Sequence, residues 1–194
     1  MRKDQSRVSG TQTQRGDDNG RDSQVDTDPE SVARSVVLRK LAAAPQTRAQ
    51  LDRALVKKGV PDDVRDRVLD RFSEVNLIDD AAYAAAWVES RHAGRGLARR
   101  ALGHELRQRG VDQNVVDQAV EALPVEQEEA MARDLVAKRL PGTRRLDPAA
   151  RTRRLLGMLA RKGYPPRLAY RVVREALEAE GVEQAELPAE PLEE

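Results

Sequence analysis

Three segments of this chain align without a gap on a glycine: QLDRALVKKGVPDDVRDRVLDRF from Gln50, ALGHELRQRGVDQNVVDQAVEAL from Ala101 and RLLGMLARKGYPPRLAYRVVREA from Arg154. The anchors are Gly59, Gly110 and Gly163, 51 and 53 residues apart. A period of this length is the mark of a repeat architecture and constrains the fold more than any composition value. Leucine stands eight before each glycine (Leu51, Leu102, Leu155) and four before it (Leu55, Leu106, Leu159). Leucines four apart share one face of a helix. The glycine then ends that helix, since it takes the left-handed conformation without a Cβ penalty. Basic residues in the last turn (Lys57 and Lys58, Arg107 and Arg109, Arg161 and Lys162) suit the negative end of the helix dipole. An apolar residue follows the glycine, and further apolar positions at +5, +9, +10 and +13 predict a second helix.

A third helical pattern lies upstream of each pair, at 31–43, 80–93 and 126–140. The expectation is therefore all-α: three tandem three-helix repeats in a curved, elongated, solenoid-like array, with nine helices and no sheet. One such unit has a thin core, so stacked units are expected to bury a continuous seam. The boundaries read as 29–78, 79–123 and 124–178, with a disordered tail at 1–28 and an acidic disordered tail at 179–194. The break PGTRRLDP, 141–148, is the longest in the third repeat and is expected to set its first helix apart from the next.

Charge is unevenly spread. Residues 30–177 carry 29 bases and 20 acids, whereas 178–194 carry 7 glutamates and no base. Between Lys138 and Arg174 there are 12 bases and one acid, Asp147. A field of one sign on this scale implies an anionic partner, either phosphate or an acidic protein surface. The candidate contacts are Arg144, Arg145, Arg151, Arg153, Arg154, Arg161, Lys162, Arg167 and Arg171. A second basic junction, SRHAGRGLARRAL, adds Arg91, Arg95, Arg99 and Arg100. The second helices make poor base readers. DDVRDRVLDRF opens on two aspartates and DQNVVDQAVEAL is acidic, so contact with DNA is expected to be nonspecific and electrostatic. The acidic C-terminal stretch is a candidate competitor for the basic surface.

Signs of chemistry are few. There is no cysteine, which is compatible with a reducing cytosol and excludes thiolate sites. The two histidines, His92 and His104, have no paired ligand and read as ordinary helix residues. No phosphate loop or nucleophile elbow is present. No enzyme, cofactor or metal is expected. No apolar run reaches the ~20 residues that cross a bilayer, and a soluble, cytoplasmic protein is expected. In LIDDAAYAAAWVESR, from Leu77, the adjacent Asp79 and Asp80 raise the question of a metal; a helix cap is the simpler reading. Leu77 and Ile78 are expected to close the first core, and Tyr83, Ala84, Trp87 and Val88 to face the seam between repeats.

Taken in order, the segment from Thr47 to Val120 resembles the bacterial RecX family of regulatory proteins. The resemblance rests on the L…L…KG helix pair, the junction NLIDDAAYAAAWVESR with Asn76 where glycine is common, the basic loop HAGRGLARRAL and the following L…L…RGV helix. It extends over 30–177. Structural signature positions are Gly59, Gly110, Gly163, Asp79, Asp80, Tyr83 and Trp87. The resemblance implies a monomer that binds the RecA recombinase filament, lodges in the groove of the RecA–DNA filament and restrains its ATPase, strand exchange and coprotease activities. From the basic clusters, nonspecific contact with single- or double-stranded DNA is also expected, and from the lack of a long apolar run, no membrane. Coating of bare DNA and a purely structural scaffold are the competing readings.

Overall fold

A computed structural model describes residues 28–181. Among these there are nine α-helices, one 3-10 turn and no strand. The first repeat holds α1 (Pro29–Ala43), α2 (Arg48–Val56) and α3 (Asp62–Glu74); the second α4 (Asp80–Arg95), α5 (Arg99–Gln108) and α6 (Gln113–Glu121); the third α7 (Val125–Arg139), α8 (Pro148–Arg161) and α9 (Pro166–Ala179).

The repeat chemistry works as its spacing requires. All six motif leucines are 0% exposed. Gly59, Gly110 and Gly163 have φ of 72°, 81° and 87°. After each of them the next N–H reaches back to the carbonyl of the second leucine: Val60 to Leu55, Val111 to Leu106 and Tyr164 to Leu159, each at 3.2 Å. That bond satisfies a carbonyl the helix end would otherwise leave open. A fourth copy of the turn ends α3. There Leu77 N–H donates to Phe72 O at 2.9 Å around Asn76, whose φ of 55° is the one positive value at a non-glycine among the described residues. Asn tolerates this conformation best after glycine.

The expected continuous seam is absent. Burial falls into three clusters centred on the repeats: Leu51, Leu55, Leu69 and Phe72 anchor the first, Leu102, Leu106 and Val116 the second, Leu155, Leu159 and Val173 the third, and only Ala98 crosses over, from the second unit into the third cluster. The main helix packings also lie inside repeats, α1 and α2 on α3, α4 and α5 on α6, α7 and α8 on α9. Each three-helix unit thus encloses its own leucine face and leaves little apolar surface to share. Tyr83, Ala84, Trp87 and Val88 accordingly pack in the second unit's own core. Leu77 points outward at 53% exposure, while Ile78 alone closes the first core. The break at 141–148 does set α7 apart from α8, and α7 packs mainly on α9. The start of the break winds into the 3-10 turn Leu140–Thr143, and α7 contributes Ala132 and Val136 to the third core.

The units are joined instead by polar contacts, laid out the same way twice. At the first joint the Thr47 hydroxyl donates to Arg109 O at 2.8 Å, and Arg48 N–H donates to the Asp80 carboxylate at 2.9 Å. At the second, Ala98 N–H donates to Lys162 O at 2.9 Å, and Arg99 N–H donates to the Glu128 carboxylate at 2.9 Å. In both, the carbonyl before the repeat glycine caps against the start of the preceding unit's second helix. A carboxylate from the following unit's first helix satisfies that helix's first free N–H. The glycine itself lies against the same turn. A Cβ on Gly110 would collide with Ala49, and one on Gly163 would stand 2.6 Å from Ala101 N. Gly59, in the first of the described units, has open space around it.

Most of the expected tails lie outside the described residues. The exceptions belong to the folded part. Asp28 caps α1 by accepting from Glu30 and Ser31, and Glu180 is held by arginines of the third unit.

Candidate functional site

The basic stretch of the third unit is sorted by its packing into arginines that hold the fold and arginines that face outward. Arg151 is 6% exposed; its guanidinium donates to Thr143 Oγ1 at 3.2 Å and is paired with Glu180. It is therefore a buried brace between α8 and the end of α9, which corrects its reading as a contact residue. Arg144 pairs with the same carboxylate at 2.8 Å. These two guanidinium groups hold the Glu180 carboxyl below the usual carboxylate range. Arg171 pairs with Glu129 at 2.7 Å. By contrast Arg145, Arg153, Arg154, Arg161 and Arg167 are exposed and have no carboxylate partner among the described residues. These five retain the uncompensated charge that the sequence pattern indicated.

The second basic junction is mostly structural. The guanidinium groups of Arg91 and Arg109 lie over the Trp87 ring, 4.1 Å and 3.6 Å from its centroid, and Tyr83 stacks alongside at 5.8 Å. Its indole N–H donates to Glu105 at 2.9 Å, and Glu105 also takes Arg91 and Arg95. Cation–π contact on this scale holds the ring in place. Arg99 donates to Leu123 O and approaches Glu128, spanning the second joint. Lys162 reaches from the third unit to Arg95 O. Only Arg100 of this group projects outward with no carboxylate partner among the described residues.

One basic site escaped the sequence reading. A groove of about 510 Å³ on the first unit is lined by Arg39, Lys40, Arg53, Lys57 and Lys58, with no acidic residue on its wall. Each pair reads locally as a basic helix end, and only the packing of α2 beside α1 gathers them. The signal available was that adjacent bases, Arg39 with Lys40 and Lys57 with Lys58, stand near the ends of α1 and α2.

Asp79 and Asp80 divide the work expected of either one. Asp79 accepts from Ala82 N–H at 2.8 Å and caps α4. Asp80 turns to the preceding unit and takes Arg48 N–H; its burial at the joint, offset in part by that bond, raises its pKa. Among the described residues no group of three or more His, Asp or Glu side chains could hold a metal. His92 is buried, its Nδ1 on Leu97 O at 2.9 Å, while His104 lies on the surface of α5. Tyr164 donates to Gly96 O at 3.2 Å across the second joint, and burial pushes its phenol pKa up. No helix among the described residues is long and apolar enough to cross a membrane.

These features define a class: a helical-repeat protein of three individually cored units, with cationic surface at both ends of the array. The first, second and third three-helix domains of RecX match residues 33–72, 79–120 and 126–173. The chain is 62% identical over 151 residues to the regulatory protein RecX of Thermobifida fusca, covering 78% of this chain and 82% of that one. It is 58% identical over 154 residues to the regulatory protein RecX of Streptomyces coelicolor, covering 79% and 82%. In structure it resembles RecX from Lactobacillus salivarius, with a TM-score of 0.72 at 17% identity over 77% of this chain and 97% of that one. The chain belongs to the RecX family of regulatory proteins.

Proposed function

We propose that this protein is a non-enzymatic regulator of homologous recombination that binds along the groove of the RecA–DNA filament and restrains ATP hydrolysis, strand exchange and coprotease activity. The observation that supports it most is that all three units match the family in order, while the structure leaves them in an open row joined by polar contacts. Such a row can follow a helical groove, with exposed cations turned to phosphate and mixed charge to protein. On this reading Arg100, Arg145, Arg153, Arg154, Arg161 and Arg167 meet the filament, and Arg151 acts only by holding α8 to α9.

The test is filament binding by Arg145→Ala, Arg153→Ala, Arg154→Ala and Arg161→Ala combined. Affinity is expected to fall about tenfold or more, from four exposed contacts of roughly 0.4–1 kcal/mol each, with the helical content unchanged. Unchanged affinity would place the contact surface elsewhere. A second reading, coating of bare DNA, is favoured by the groove of five cations on the first unit. It predicts steeply salt-dependent binding to DNA without RecA, and absence of such binding would remove it.

A further inference from the structure

The outward arginines of the third unit continue a contact that the end of α9 begins. Glu180 lies on Arg144 and Arg151, and Gly181, with φ of 74°, turns the chain out of the helix there. Along α8, Arg151, Arg154, Met158 and Arg161 follow at i, i+3, i+7 and i+10, and so form one stripe. The first member of the stripe is already occupied by a glutamate. Arg154 and Arg161 are exposed and have no carboxylate partner among the described residues. The sequence that follows Gly181 is VEQAELPAEPLEE, with Glu183, Glu186, Glu190, Glu193 and Glu194 and no base.

We propose that residues 182–194 dock in cis along this stripe of α8 and compete there with other polyanions. The spacing suits it. Arg154 and Arg161 are separated by about 10 Å at 1.5 Å per helical residue. Glu183 and Glu186 are about 10 Å apart in an extended chain at roughly 3.3 Å per residue. The segment can reach the whole helix, because its extended span of about 40 Å exceeds the roughly 21 Å of α8. Single exposed ion pairs contribute little. Tethering raises the local concentration to the millimolar range, so several weak pairs suffice for docking, and salt releases it. Only the word "compete" rests on the function proposed above; the docking itself does not.

The chain has no cysteine, so Ala189→Cys in the full-length protein gives one attachment point for a nitroxide. Paramagnetic broadening of backbone amides is then read. The expected result is loss of intensity at 153–162, absent from α1–α3. It should disappear at about 0.5 M salt, where the screening length falls to a few ångströms. It should also disappear when Glu183, Glu186, Glu190, Glu193 and Glu194 become Gln, a change that leaves the folded units untouched. Arg154→Glu with Arg161→Glu should abolish it as well. Broadening at 153–162 no stronger than at α1–α3, or broadening that survives glutamate neutralisation, would overturn the proposal. A missing effect here leaves the filament reading standing. A present effect with no action on RecA leaves docking standing and removes the filament reading.

Discussion

Asn76 shows how one side chain can be read from the backbone it must adopt. It stands in the left-handed region at the end of α3, where the other turns of this type use glycine. Asn76→Gly is expected to be neutral or to raise stability by up to about 1 kcal/mol, and Asn76→Val to lower it by about 1–2 kcal/mol. Urea unfolding measures both. At the neighbouring pair, Asp79→Ala removes an N-cap and is expected to lose about 1 kcal/mol. Asp80 separates charge from hydrogen bonding. Its carboxyl titrates above its ordinary value, so its charge opposes folding: the contribution is full below the usual carboxylate range and is lost as pH rises through the raised folded value. Asp80→Asn keeps an acceptor for Arg48 N–H without that charge. It is expected to match or exceed the parent at pH 7, whereas Asp80→Ala loses about 1 kcal/mol. Glu180 runs the other way. Its pKa is depressed by Arg151 and Arg144, so its contribution holds above the usual carboxylate range and is lost as pH falls through the lowered folded value. Glu180→Gln should lower the melting temperature at pH 7 and flatten its acid dependence. An unchanged acid limb would show that the brace carries no weight.

At the scale of elements, the helix–glycine–helix motif does two jobs in two of its three copies. Gly59 needs only the left-handed conformation; Gly110 and Gly163 need that and contact with the preceding unit. Gly59→Ala is therefore expected to destabilise by about 1–2 kcal/mol, and Gly110→Ala by distinctly more. Only Gly110→Ala should also alter the fluorescence of Trp87, because Arg109, packed on that ring, forms the joint. Equal effects of the two substitutions would contradict the joint. The helices and their buried leucines were legible in the sequence because 3.6-residue periodicity and glycine stops act locally. The joints were not. Asp80 and Glu128 do equivalent work from non-equivalent positions of α4 and α7, so no repeat alignment pairs them. Nor was it legible that Arg151 turns inward, since its counter-charge, Glu180, lies 29 residues on in what read as tail.

For the whole molecule, three small cores joined by a few hydrogen bonds make units that keep their own fold while their relative placement is set by polar contacts. The joints rest on buried or partly buried hydrogen bonds more than on a shared apolar seam, and each bond satisfies a group that would otherwise be left open. That arrangement suits a protein laid along a surface longer than any one unit, and the outward arginines give it a charged face to lay down. The central claim is that this row of units acts on a recombinase filament. It is tested most directly by titrating the protein into RecA assembled on single-stranded DNA and following ATP hydrolysis. The account predicts inhibition complete at protein levels well below one per RecA subunit, and weakened at least tenfold in the Arg145, Arg153, Arg154 and Arg161 to Ala variant. Hydrolysis that stays at its starting rate up to equimolar protein would contradict it.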